Sequence, residues 1–187
     1  VAILGDYDNC FDLISLTNKN KGEIEKYPKA EADLMSFLSK ITEGADVLLF
    51  IGSNRQSKGI DERKAEKNGN GLCKDGFRKL ARLKGYGNVS HSWTFNATRL
   101  QDAWGGGNKV REFGIEHGSA KLKKEMAKLH LQALKNGTKV YYFDDVPYFL
   151  KAVCEEVFKK AEGFETYTVH FDWREYGGGL KAEKCTR

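Results

Sequence analysis

The chain opens on an apolar run, Val1-Ala2-Ile3-Leu4, that stops at Gly5 and gives way to Asp6-Tyr7-Asp8-Asn9-Cys10. A run so short and continuous predicts a buried strand with a polar carboxyl end. A second run, Val47-Leu48-Leu49-Phe50-Ile51, shows no alternation, the pattern of a strand covered on both faces in a parallel sheet, and ends on Gly52-Ser53-Asn54-Arg55. Between them, Asn18 to Lys29 is polar and predicts a loop or small flap. Pro28 then precedes a helix from about Ala30 to Thr42, with Leu34, Phe37, Leu38 and Ile41 on one face and Gly44 as its stop.

Gln56 to Gly71 is charged and predicts an exposed loop, followed by a helix around Leu72 to Leu83. Val89, His91, Trp93 and Phe95 alternate with small polar residues, as in a strand with one apolar face. Asn96 to Ser119 carries Trp104, the run Gly105-Gly106-Gly107 and little periodicity, and is expected to be a long loop insertion acting as a flap. A helix is expected from Ala120 to Lys135, with Leu122, Met126, Leu129 and Ala133 on one face. Its first turns carry Lys121, Lys123, Lys124 and Lys128, against the dipole preference for acids there. Val140 to Phe143 is the next strand and delivers Asp144-Asp145. Pro147 opens a helix whose stripe of Leu150, Val153, Cys154, Val157 and Phe158 is core, and Glu165 to Phe171 is the last strand. The pattern predicts an α/β fold: an open, mostly parallel Rossmann-like sheet of about five strands with helices on both faces. One domain is expected over residues 1–175, with the loop insertion around 96–119 and a flexible tail over 176–187.

The composition narrows this little. With 187 residues, 40% of them hydrophobic, the chain can bury one substantial core, and its net charge of +5 is a modest attraction for anionic partners. No apolar run reaches the roughly 18 to 20 residues of a membrane span, so no membrane association is expected. Cys10, Cys73, Cys154 and Cys185 form no CxxC pair and no metal knuckle with the histidines, so the expectation is unpaired thiols in a reducing compartment such as the cytoplasm.

The candidate chemistry lies at the strand ends. Asp6 and Asp8 alternate at the end of the first strand and so point to one side, where two like charges need a cation or several donors between them. In open α/β sheets ligands bind outside the carboxyl ends of the strands, and Asp6, Asp8, Ser53, Asp144 and Asp145 all fall there. Carboxylates converging on one point would hold Mg²⁺, a cation that takes oxygen ligands. A carboxylate beside that ion could attack phosphorus, and a second acid two residues on could protonate the leaving oxygen.

This layout resembles the haloacid dehalogenase superfamily of Mg²⁺-dependent phosphohydrolases. Asp6-Tyr7-Asp8 matches that family's first motif, Ser53 its second, and Asp144-Asp145 its fourth. The resemblance implies Asp6 as nucleophile and metal ligand, Asp8 as general acid and base with its backbone carbonyl on the metal, and Ser53 as phosphate binder. It implies Asp145 as the direct metal ligand of the acidic pair and Asp144 as a direct or more distant one. The motif lysine falls at the start of the helix before the last motif. Lys121, 24 residues ahead of Asp145, fits best, with Lys123 and Lys124 as rivals. Gly5 departs from the family's usual apolar residue before the nucleophile, and Cys10 stands where Thr or Val is common. No segment has the length of a large cap domain, so the implied substrate is bulky: a phosphorylated protein side chain, phosphotyrosine among them, or an aryl phosphate. The chain is also similar to effector phosphatases that intracellular bacteria deliver into host cells. A monomer is expected, and nucleic acid is not the expected partner. Two other readings compete: a metal-dependent nuclease of the PIN or NYN type, whose first strand also ends in an Asp followed by Asn, as Asp6 and Asn9 do, and a catalytically silent binding module.

Overall fold

A computed structural model of the chain describes residues 1–11, 27–53, 82, 85–86, 93–96 and 99–186. The loop expected over Gln56 to Gly71, nearly all of the helix expected after it, and most of the flap expected over Asn18 to Lys29 lie outside the described residues. The elements are β1 (Ala2–Gly5), a π-helical turn (Tyr7–Phe11), α1 (Tyr27–Thr42), β2 (Val47–Ile51), β3 (Trp93–Asn96), α2 (Arg99–Trp104), α3 (Gly107–His117) and α4 (Ser119–Gln132). They continue with β4 (Lys139–Asp144), α5 (Pro147–Glu156), β5 (Glu165–His170) and β6 (Ala182–Lys184). The strands form one sheet in the order β3-β2-β1-β4-β5-β6, parallel throughout except for the antiparallel pairing of β5 with β6.

The two faces of the sheet follow from strand alternation. Ile3, Val47, Leu49, Ile51, Tyr141, Phe143 and Val169 pack with Ala30, Leu34 and Leu38 of α1. Ala2, Leu4, Phe50, Val140 and Tyr142 face the other way, against Ala127 and Leu131 of α4, Leu150 and Val153 of α5, and Val157 just after it. Helices therefore cover both faces, and this is why the β2 run has no polar positions. Helix α1 begins earlier than its pattern predicts and ends where Gly44 adopts φ +75°.

Three expectations are corrected. The insertion expected as a loop over 96–119 is helical at Arg99–Trp104 and Gly107–His117: Leu100 and Val110 of α2 and α3 pack against Leu122 and Met126 of α4, with Trp104 and Phe113 alongside. Their periodicity is hidden because two short helices meet across the Gly105-Gly106-Gly107 run. The carboxyl-terminal tail is not loose. The Tyr176 hydroxyl donates to Asp33 of α1, and β6 adds a strand to the sheet. Finally, Cys154 and Cys185 are joined in a disulfide with Cα atoms 5.7 Å apart, a spacing ordinary for such a bridge. Cysteine usage therefore gives no argument for a reducing compartment. Among the described residues, no helix is long and apolar enough to cross a membrane.

Gly5, the departure noted in the sequence, has a local cause. The π-helical turn donates Phe11 N–H to Asp6 O and folds the Phe11 ring back over the strand end, so that a Cβ on Gly5 would stand 2.8 Å from that ring. Phe11 is itself fixed by edge-on contacts with Phe143 and Tyr86 and by the Tyr86 hydroxyl, which donates to its carbonyl. Gly5→Ala is therefore expected to destabilise the chain by about 1 to 3 kcal/mol, the usual cost of overpacking. Urea denaturation should show this loss shrinking in a Phe11→Leu background; an equal loss in both backgrounds would mean that Phe11 is not what excludes the methyl group.

Candidate active site

Strands β1 and β4 are neighbours, with Gly5 opposite Phe143 in register. Chain order departs in opposite directions from this pair, with β2 on the far side of β1 and β5 on the far side of β4, so the crevice above it is the switch point of the sheet. Asp6 and Asp144 emerge there side by side; Asp6 N–H donates to Phe143 O at 2.9 Å, extending the ladder by one residue. Both carboxylates are buried.

The cation between them comes from α4. Lys123 Nζ lies 2.6 Å from Asp6 Oδ1 and 3.2 Å from Asp144 Oδ2. It also donates to the carbonyl of Gly52, so one ammonium ties together the ends of β1, β2 and β4. Ser53, the next residue, is buried. Lys123 can reach this point because it lies on the buried stripe of α4, next to Leu122 and one turn before Met126 and Ala127. Lys121 lies about 200° away around the helix axis. It is exposed, with its ammonium 5.9 Å from the centre of the Phe113 ring, and Lys124 pairs with Glu156 at the surface. The position expected of Lys121 is therefore held by its rival Lys123.

Both oxygens of Asp144 have further partners in the protein. The Tyr142 hydroxyl donates to Oδ2, and Val146 N–H donates to Oδ1 at 3.0 Å. Asp145 is more open, with Arg174 Nη2 3.4 Å from its Oδ2 and His170 Nε2 3.0 Å from its carbonyl oxygen. A carbonyl only accepts, so this histidine nitrogen carries the proton. Arg174 is held in turn by Asp172, at 2.8 Å and 3.1 Å. Asp8 belongs to the π-helical turn after β1.

Burial dominates the electrostatics. It pushes the Asp6 carboxyl well above the usual carboxylate range; Lys123 pulls against this, while Asp144 adds to it. Burial also raises Asp145; Asp6 works against this and Asp144 adds to it. For Lys123, burial acts to remove the charge, but Asp6 and Asp144 outweigh it and hold the ammonium protonated above its ordinary range. Burial, with Asp144 beside it, pushes the Tyr142 hydroxyl up and keeps it a donor.

Oxygens of Asp6, Asp144 and Asp145 lie within 4.8 Å of one another. Burial opposes full ionisation of the three carboxylates, which with Lys123 would leave a net charge of −2, so the cluster must keep a proton or take up a cation. An all-oxygen donor set with that deficit fits a hard divalent cation such as Mg²⁺. Tyr142 and Arg174 were not foreseen as parts of the site. Tyr142 could have been, because it stands two residues before Asp144 on the same strand face; Arg174 follows the last strand with no pattern to mark it. No protein-family model, curated protein or solved structure matches the chain.

Proposed function

We propose that the protein is a Mg²⁺-dependent phosphomonoesterase working through a phosphorylated Asp6, on the haloacid dehalogenase plan that the motifs resemble. The observation that carries this reading is Lys123, buried between Asp6 and Asp144 at the switch point. A nuclease that gathers carboxylates for two metal ions has no need of an ammonium in their midst.

In this mechanism the Asp6 carboxylate attacks phosphorus as the bond to the leaving oxygen breaks, and Asp8 gives that oxygen its proton. Water then attacks the acyl phosphate and passes a proton to Asp8; phosphate departs and Asp6 is regenerated. A nucleophile must be unprotonated. Burial works against that at Asp6, and Lys123 opposes it. Lys123 and Ser53 would face charge developing on the phosphoryl oxygens. Asp6, Asp145 and the Asp8 carbonyl would hold the Mg²⁺ ion, while Asp144 pairs with Lys123; when bound, the ion would neutralise charge on Asp6 and on the phosphoryl group. The substrate we assign is the one the motif resemblance implies: a phosphorylated protein side chain, phosphotyrosine among them, or an aryl phosphate.

The test is a hydrolysis screen with Mg²⁺ over phosphopeptides, aryl phosphates, sugar phosphates, nucleotides and single-stranded RNA. Cleavage of RNA without any monoesterase activity would overturn the proposal. The acidic pair should also divide its labour. Asp145→Asn is expected to weaken Mg²⁺ binding in calorimetry more than Asp144→Asn. Asp144→Asn should cost more stability, because it disturbs the Lys123, Tyr142 and Val146 contacts together. The reverse ranking would place the metal on Asp144.

A further inference from the structure

Beside the acidic cluster, α5, β5 and the returning carboxyl-terminal segment line a half-open cavity of about 490 Å³ that the proposed mechanism does not use. His170 lines it and also binds the Asp145 carbonyl, so the cavity begins one residue from the candidate metal ligands. Cys154 lines its wall, while Cys185 lines a second cavity of about 380 Å³, so the disulfide stands between the two.

The charges around the larger cavity are unequal in their freedom. Lys151 and Lys181 line it, both are exposed, and neither has an ion-pair partner among the described residues. Of the two acids in the wall, Glu155 is engaged by Lys159 at 2.6 Å, which leaves Glu183 as the opposing charge. Thr168 adds a hydroxyl. Two uncommitted ammonium groups, a histidine and a hydroxyl around one concavity suit an anion with several acceptor oxygens.

We propose that this cavity is a subsite for a second anionic group, carboxylate or phosphate, that the substrate carries near its phosphomonoester. The inference rests on the phosphatase reading and gives it a substrate class: a phosphopeptide with an acidic residue beside the phosphorylated one. A second phosphate on a small molecule offers the same chemistry.

The test uses the full chain and a Lys151→Glu/Lys181→Glu double variant, with matching melting temperatures checked first. Phosphopeptides carrying Glu or Ala at one, two or three residues from the phosphorylated side chain are compared by kcat/KM. The acidic series should be favoured by about tenfold in the parent chain, as for a charge-assisted contact. The double variant should lose that preference and hydrolyse p-nitrophenyl phosphate unchanged. A sugar bisphosphate preferred over its monophosphate, with no preference among peptides, would support the subsite and assign the second anion to a small molecule. Binding of inorganic pyrophosphate to the metal-free chain is followed by calorimetry in parallel. If no monoester is hydrolysed yet pyrophosphate binding requires the two lysines, the phosphatase reading falls and the anion site stands. Pyrophosphate binding and substrate preferences that are the same in both proteins would overturn the subsite.

Discussion

Lys123→Met is expected to abolish turnover and to destabilise the metal-free chain by about 3 to 5 kcal/mol, the usual result of stripping the partner from buried charge. The reason is the position of its ammonium, 2.6 Å from Asp6 and 3.2 Å from Asp144, with all three side chains buried. Without it the two carboxylates face each other with no positive charge between them, and one must take up a proton, which removes either the nucleophile or its support. A melting temperature lower by roughly 10 °C is the corresponding thermal signature. Mg²⁺ should recover part of the stability, because a dication supplies some of the missing charge, but it should not recover activity. Lys121→Met and Lys124→Met provide the contrast: both side chains lie outside the cluster, and each change should stay within about 0.5 kcal/mol of the parent. If Lys121→Met is the variant that kills turnover, the lysine has been assigned to the wrong face of α4.

Asp6→Asn and Asp8→Asn are expected to fail in different ways. Asp6→Asn should remove both turnover and any phosphorylated protein, since an amide is a poor nucleophile and a poorer metal ligand. Asp8→Asn keeps its backbone carbonyl and loses only a proton donor, so turnover of an alkyl phosphate should fall by about 10² to 10⁴, the range of general acid catalysis. With p-nitrophenyl phosphate, whose leaving group needs little protonation, the first step should suffer less. The acyl phosphate should then accumulate, because its hydrolysis still needs a base. Acid-quenched mass spectrometry after mixing reads both outcomes. A mass gain on any residue other than Asp6, or the same loss in both variants for every leaving group, would mean that the roles are misassigned.

Periodicity made the sheet legible because its strands are either fully covered or cleanly alternating. The continuous Val47 to Ile51 run suits a strand covered on both faces, and Leu34 and Leu38 announce the inner face of α1. The convergence of Asp6 with Asp144 was legible as well, since adjacent parallel strands bring their carboxyl ends together. Choosing between Lys121 and Lys123 was a different problem. Sequence distance from Asp145 cannot resolve two positions on one helix, whereas the buried stripe through Met126 and Ala127 does, and it runs through Lys123. The contacts made by the carboxyl-terminal segment had no local signal. Trp173 and Arg174 derive their roles from β5 and Asp145, which lie near them in space but are not implied by any repeat in the chain.

The disulfide between Cys154 and Cys185 also bears on how the chain behaves in company with itself. Without β6, strand β5 would be an open edge of six residues with an unpaired ladder of amides and carbonyls, a ready template for another chain. Strand β6 is a poor template by comparison: it has three residues, and Glu183 and Lys184 are exposed on it. So short a strand holds weakly by its ladder alone, and the bridge to α5 anchors it across a separation of 31 residues. In the chain-entropy account, closing a loop of that length contributes roughly 3 to 4 kcal/mol. The bridge thus acts as a guard against self-association, and reduction would weaken that guard before it touched the carboxylates at the other end of the sheet.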